Sequence, residues 1–131
     1  DFNTIGRHQT GTSPPGWPLS SPPGCSKSHV GDLHAIPISH GEGRFTAPQA
    51  ELERLIANGQ IATQYVDAPA RLHGHRRNPN GSLEAIEGIF SPDGRVFGKM
   101  GHSERRGPYV GVNIPGDKHQ PLFESGAAYF R

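Results

Sequence analysis

Proline spacing near the start of the chain is the strongest constraint on how it can fold. Residues 13–24, SPPGWPLSSPPG, contain five prolines and two glycines. Proline has no amide donor and fixes φ, so this stretch cannot form a helix or a central strand. It is predicted to be an irregular or polyproline-like loop, and a ligand for a proline-reading domain is the alternative. We therefore divide the chain into an irregular Pro/Gly/Ser-rich segment, 1–31, and a globular part, 32–131.

The globular part begins with strand and helix signals in alternation. LHAIPIS (33–39) is a short apolar strand pattern, and QIATQYVD (60–67) is rich in β-branched and aromatic residues. Between them, TAPQAELERLIANG (46–59) predicts a helix with Thr46 as its N-cap and Asn58, followed by glycine, at its end. This order is typical of α/β proteins and predicts a parallel-type sheet layer.

A β-hairpin is predicted next. SLEAIEGIF (82–90) and RVFGKMG (95–101) flank SPDG, whose sequence suits a type I turn closed by glycine. Strict alternation divides the side chains of the first strand between two faces: Leu83, Ala85 and Glu87 on one, Ile86 and Phe90 on the other.

The last segment, PLFESGAAYFR (121–131), predicts a short helix with Phe123, Ala127 and Phe130 on one side. Together with the preceding strands and helix, it completes the pattern of an α/β domain.

Composition excludes several classes of function. The net charge of +1 gives no electrostatic basis for binding nucleic acid or an anionic membrane surface. No apolar run is long enough to span a membrane. A single cysteine cannot form an internal disulfide, so a reducing, cytoplasmic setting is expected. The chain starts at Asp1 without a methionine, and we expect it to be a piece of a longer protein.

The first candidate for chemistry is the pair His102 and Glu104, which lies in GKMGHSERRG (98–107) at the end of the hairpin. Residues i and i+2 face the same side of an extended segment, so ring and carboxylate can come within hydrogen-bond reach. The carboxylate would then orient the imidazole, as the third group of a nucleophile–base–orienter triad does. A surface ion pair is the simpler interpretation, and these residues alone leave both open.

A second candidate is the loop SHGEGR (39–44), whose four central residues are His40, Gly41, Glu42 and Gly43. Glycines allow a ligand to approach the main chain, and a carboxylate there could accept hydrogen bonds from an ammonium group. A tight strand-to-helix turn, with glycines that serve geometry alone, is an equal alternative.

Other reactive residue types are assigned to no site. His73 and His75 stand beside Arg76 and Arg77, which disfavour a metal cation, so no metal site is predicted. Cys25 follows Pro-Pro-Gly with no strand before it, whereas a nucleophile elbow needs a sharp strand-to-helix turn. We therefore do not assign Cys25 as a nucleophile.

Four blocks of the chain form a specific combination: IPISHGEGRF, QIATQYVD, NPNGSLEAIEGIFSPDGRVFGKMGHSER and NIPGDKHQPLFESGAAYF. Together they resemble the C-terminal glutaminase domain of phosphoribosylformylglycinamidine synthases, a class I glutamine amidotransferase domain. The likeness runs from about residue 30 to residue 131, and IGRH (5–8) also fits. Residues 9–29 depart from the family pattern, and a compensated frameshift or sequence error there is our hypothesis. The resemblance implies the second half of a flavodoxin-like, three-layer α/β domain with a hairpin before the His-x-Glu motif.

The resemblance also implies roles for the candidate residues. A Cys-His-Glu triad would hydrolyse glutamine, with His102 as general base and Glu104 holding its tautomer, and the 40–43 loop would lie near the glutamine pocket. In the family the nucleophilic cysteine and the oxyanion glycines precede the matched region, so the isolated chain is expected to be inactive. No cofactor is expected in this chain. ATP and Mg²⁺ would bind the parent enzyme's synthetase domains, which are implied partners in purine biosynthesis together with the missing half of the domain.

Two other interpretations remain open. A non-catalytic module could keep a degenerate amidotransferase fold and bind an amino acid without a nucleophile. Alternatively, a metal-binding protein could use some of the 8 histidines.

Overall fold

The computed structural model describes residues 2–7, 26–29, 31–39, 41, 43–66 and 78–130. Several features predicted from the sequence lie outside these residues and stay predictions: the proline cluster at 13–24, Cys25, His40, Glu42, His73 and His75.

The described residues form five strands and two helices. The strands are β1 (Phe2–Arg7), β2 (Leu33–Pro37), β3 (Ile61–Tyr65), β4 (Ile86–Phe90) and β5 (Phe97–Lys99). The helices are α1 (Gln49–Ala57) and α2 (Leu122–Tyr129). Among the described residues, no helix is long and apolar enough to cross a membrane.

One sheet contains all the described strands, in the order β2–β1–β3–β4–β5. Every pairing among them is antiparallel, so the prediction of a parallel-type layer is wrong. That prediction rested on the order β2–α1–β3. The strands β2 and β3 do run in the same direction, since both are antiparallel to β1, but β1 lies between them. The predicted mixed α/β class is confirmed.

Helix α1 forms where the sequence predicts it, but it starts later. It begins at Gln49 after Pro48 without a capping hydrogen bond from a side chain, so the prediction of Thr46 as N-cap is wrong. Proline needs no partner for an amide hydrogen, and its carbonyl accepts the amide of Leu52 at 3.0 Å. The helix ends at Ala57 with Asn58 as its C-cap, which agrees with the stop predicted at Asn58.

The two helices cover opposite faces of the sheet. Leu52 of α1 packs in a cluster with Ile61, whereas Leu122 of α2 packs against Ala62. Ile61 and Ala62 are neighbours along β3, so their side chains point to opposite faces. The described elements therefore form three layers: helix, sheet and helix.

The apolar face predicted for α2 is not its buried face. Phe123, Ala127 and Phe130 are exposed, and the buried side chain of the helix is Ser125. The Ser125 hydroxyl donates to the carbonyl of Pro121 at 2.6 Å and accepts the amide of Lys27 at 3.1 Å. A small side chain allows the helix to pack closely against the segment that contains Lys27. The spacing of apolar residues in the sequence does not reveal this contact.

The hairpin forms, but the predicted alternation of its first strand is wrong. Leu83–Ala85 is a 3₁₀ turn, in which Glu84 and Ala85 have φ of 49° and 53°. Two register shifts between β3 and β4 follow. As a result Leu83 packs with Ile86, while Phe90 belongs to the cluster on the opposite face. The SPDG turn is confirmed by Gly94, whose φ is 69°.

Gly88 lies where β4 comes closest to its neighbours. A Cβ atom at this position would lie 2.6 Å from Thr63 Oγ1, 2.7 Å from a ring carbon of Phe97 and 3.2 Å from the Gly98 carbonyl oxygen. Two of these distances are shorter than real contacts of a Cβ atom, so a side chain here would push β3 and β5 away from β4.

We expect Gly88→Ala to lower the free energy of unfolding by about 1–3 kcal/mol, because it overpacks the sheet. Gly98→Ala is the matched control, since a Cβ atom at Gly98 meets nothing within 4 Å. Urea denaturation of both variants at one protein concentration measures the difference. Equal stability of the two variants would contradict the crowding described here.

Candidate active site

His102 and Glu104 are in direct contact just beyond β5. The imidazole Nδ1 lies 2.7 Å from Glu104 Oε1, so the predicted hydrogen-bond contact is confirmed. The His102 side chain is 30% exposed and that of Glu104 is 56% exposed. The pair thus lies at the surface, with its ring half-buried and its carboxylate open to solvent.

The motif is a turn rather than the extended strand end that the spacing suggested. The Arg105 amide donates to the His102 carbonyl at 3.1 Å, which closes the turn. Ser103, between the two members of the pair, is buried. Its hydroxyl donates to Gln120 Oε1 at 2.6 Å and accepts from Lys99 Nζ at 2.8 Å. The chain therefore turns around an inward-pointing serine, and this leaves the imidazole and the carboxylate together on the outside.

A buried carboxylate, Glu87, holds the segment that leads into His102. Its Oε1 accepts the amides of Met100 at 3.1 Å and Gly101 at 2.5 Å. Its Oε2 accepts the hydroxyl of Thr63 at 2.5 Å. The register shifts leave Glu87 without a partner residue on β3, as in a β-bulge. The carboxylate thereby fixes the two amides that precede the imidazole.

The described part of the 39–44 loop lies beside the same segment. The His102 amide donates to the carbonyl of Pro37 at 2.9 Å, so the end of β2 reaches the motif. The side-chain amide of Asn80 donates to the Gly43 carbonyl and lies 3.6 Å from Met100 Sδ. Gly43 and the end of β5 are therefore joined through one side chain. The roles of the loop in binding substrate stay predictions.

The turn at 78–82 fixes the chain that leaves this loop. Arg44 Nε donates to the Gly81 carbonyl at 3.1 Å, and the Phe45 amide donates to Ser82 Oγ at 2.9 Å. An open cleft of about 310 Å³ lies between residues 43–45 and the strands β4 and β5. It is adjacent to the His102 motif through Met100, which lines it.

The pKa of the Glu104 carboxyl is lowered from its ordinary value. The hydrogen bond from its own backbone amide is the largest cause, and the hydrogen bond from the His102 side chain follows. Both favour the charged carboxylate. Among the described residues, no three His, Cys, Asp or Glu side chains come together in a group that could hold a metal ion.

We expect His102→Ala to raise the pKa of Glu104 without restoring it fully, because the backbone hydrogen bond remains. Carboxyl-carbon NMR titration measures this shift, with His29→Ala as the matched control. A pKa that is lower in the folded state means that the charged carboxylate stabilises the fold above the ordinary carboxyl pKa. This contribution is lost as the pH falls through the lowered value. An unchanged Glu104 pKa in His102→Ala would show that the contact does not hold in solution.

Comparison with known proteins identifies the class to which this fold and motif belong. Residues 1–130 match the family described as CobB/CobQ-like glutamine amidotransferase domain, and the chain belongs to this family. One similar curated protein is phosphoribosylformylglycinamidine synthase subunit PurQ of Methanosarcina mazei. It is 40% identical over 107 residues, which make up 82% of this chain and 44% of the relative. The same subunit of Aquifex aeolicus is 42% identical over 79 residues, or 60% of this chain and 34% of the relative.

A solved structure shows the same fold. A chain of PurLQS from Thermotoga maritima superimposes with a TM-score of 0.62 at 24% identity, covering 100% of this chain and 47% of that chain. At this identity the likeness concerns the fold alone. The chain spans less than half the length of each of these three proteins.

Sequence reasoning missed the polar groups behind the pair, among them Glu87, Ser103 and Gln120. A signal was present at Glu87, a charged residue in the apolar run AIEGIF, where the first strand of the hairpin was predicted. A carboxylate in such a run must find buried donors, since an unpaired buried charge is too costly. No comparable signal marked Ser103, because serine is common in exposed turns.

Proposed function

We propose that this chain is the His/Glu-bearing half of a glutaminase domain of phosphoribosylformylglycinamidine synthase. Such a domain would supply ammonia for the ATP-dependent conversion of formylglycinamide ribonucleotide to formylglycinamidine ribonucleotide in purine biosynthesis, a cytoplasmic pathway. The observation that supports the proposal most strongly is the 2.7 Å contact between His102 Nδ1 and Glu104 Oε1 in a chain of this family. The names of the similar proteins support the choice of synthase.

The contact favours one tautomer of the imidazole. A carboxylate can only accept, so His102 Nδ1 carries the hydrogen and Nε2 keeps its lone pair. Nε2 is then the atom that takes a proton from a thiol. The lowered pKa of Glu104 keeps its carboxylate charged, which stabilises the imidazolium formed when that proton arrives.

The proposed reaction runs through a thioester. The thiolate attacks the side-chain amide carbon of glutamine, the carbon–nitrogen bond breaks, and the imidazolium of His102 returns its proton to the leaving ammonia. A water molecule, deprotonated by Nε2, then attacks the thioester. Glutamate leaves and the thiolate recovers a proton. In this scheme Glu104 stays ionised throughout and only orients the ring.

The proposal assigns the remaining parts of the reaction to groups other than the His102–Glu104 pair. The nucleophilic cysteine would come from the missing half of the domain, so the 131-residue chain alone would not hydrolyse glutamine. The 40–43 loop, with Gly41 and Gly43 at the end of β2, would bind the substrate. ATP and Mg²⁺ would bind the synthetase domains, which would receive the ammonia.

In the intact synthase that contains this chain, we expect His102→Ala to reduce glutamine-dependent turnover by about 10³- to 10⁴-fold, because the thiol loses its base. Synthesis from added ammonia should be nearly unchanged, since ammonia bypasses the thioester. Paired assays with glutamine and with ammonium salt make the comparison. The matched control is His29→Ala, which removes a histidine whose side chain is 88% exposed.

Two outcomes would contradict the proposal. Normal glutamine hydrolysis by His102→Ala would remove the histidine from the reaction, and an equal loss of both activities would indicate a structural role. The non-catalytic binding module makes a different prediction. In that case unmodified protein, with the missing half present, would bind glutamine and release no glutamate.

A further inference from the structure

A buried chain of polar groups runs directly behind the His102–Glu104 pair. Lys99 Nζ, on a side chain only 12% exposed, donates to the Gly101 carbonyl at 2.7 Å and to Ser103 Oγ at 2.8 Å. It also lies 3.4 Å from Oε1 of Glu87, whose side chain is fully buried. Ser103 extends the chain to the buried Gln120, at 2.6 Å.

Stability alone gives no reason for this arrangement. Removing two opposite charges from water is costly, and a well-packed apolar pair of similar size often stabilises a protein as well or better. The ion pair of Glu87 and Lys99 therefore calls for another explanation. Its contacts indicate one, because they concentrate on the residues on either side of a single imidazole.

The contacts fix the main chain around His102 from within. Glu87 accepts the amides of Met100 and Gly101, before the histidine, and Lys99 holds the side chain of Ser103, after it. The amide of His102 itself is bound by the end of β2. Without these contacts the turn could shift by a fraction of an ångström and carry the ring with it.

We propose that Glu87, Lys99 and Ser103 are positioning residues, which hold the His102–Glu104 turn so that Nε2 meets the incoming thiol. The inference rests on the proposed function and adds to it the groups that set the geometry of the base. Displacing the catalytic base by about 1 Å can lower the rate about 10²-fold. The three positioning residues therefore affect the rate without touching the substrate.

Ser103→Ala in the intact synthase is the main test. It removes one hydroxyl and no charge, so the pH profile should keep its shape. We expect kcat for glutamine to fall about 10- to 100-fold, KM to change less than about 2-fold, and ammonia-dependent synthesis to stay unchanged. Ser91→Ala is the matched control, because its hydroxyl is also hydrogen-bonded, to Asp93 in the turn at the other end of the hairpin. It should leave kcat unchanged.

A second variant tests the charges together. Lys99→Met alone would leave Glu87 buried without its cation and endanger the fold, so Glu87→Gln and Lys99→Met are combined. We expect a similar fall in kcat for glutamine in this double variant. Adding Ser103→Ala should lower kcat little further, because all three residues act through one network.

A readout independent of catalysis is the pKa of Glu104 in the 131-residue chain. We expect Ser103→Ala to raise this pKa towards its ordinary value, because a looser turn weakens the contact with His102. An unchanged pKa would overturn the inference. So would wild-type kcat for glutamine in Ser103→Ala, or an equal loss of ammonia-dependent synthesis. His102→Ala, assayed in parallel, distinguishes the two proposals. If His102→Ala keeps its glutamine-dependent activity, the proposed function is refuted. If His102→Ala is inactive with glutamine and Ser103→Ala is fully active, only the role of the positioning residues is refuted.

Discussion

The structure around the motif depends on one interaction, the acceptance of two backbone amides by the carboxylate of Glu87. The Gly101 amide, beyond the end of β5, donates to the carboxylate, and the Met100 amide is shared between the carboxylate and the main-chain carbonyl of Glu87, each at 3.1 Å. A buried donor without a partner would cost as much as a lost hydrogen bond. The carboxylate meets this need and converts the end of an edge strand into an ordered turn. The hydroxyl of Thr63 ties the same carboxylate to β3, so the turn is linked to the middle of the sheet.

Local sequence signals predicted most of the elements but not their relative placement. The end of α1 at Asn58 and the turn at Gly94 were predictable, since each depends on the chemistry of one or two residues. The direction of strand pairing was not, because β1 enters the sheet from a distant part of the sequence. The alternation predicted for residues 83–90 failed for a related reason. A 3₁₀ turn and two register shifts each change the face of every later side chain, and spacing alone does not reveal them.

The pairing of His102 with Glu104 was predictable, although for a reason that the structure corrects. The two residues were expected to share one side of an extended strand, and they meet because the chain turns around Ser103. The sequence could not indicate which polar groups lie behind the pair. Gln120 becomes a neighbour of Ser103, and Glu87 of the Gly101 amide, only when separate segments of the chain fold together. Such contacts depend on tertiary structure, and no local pattern encodes them.

The position of β1 between β2 and β3 also has a consequence for the order of folding. Among the described strands, β4 and β5 are joined by the short SPDG turn, whereas β1 pairs with β3 across the whole of residues 8–60. Closing a long loop costs more conformational entropy than closing a short one, so contacts between distant segments form late. The β4–β5 hairpin is then expected to form early, whereas the carbonyl of Pro37 reaches His102 only after β1 and β2 have joined the sheet. The turn that holds the imidazole is local in sequence, but its hydrogen bond to the end of β2 is expected to form late in folding.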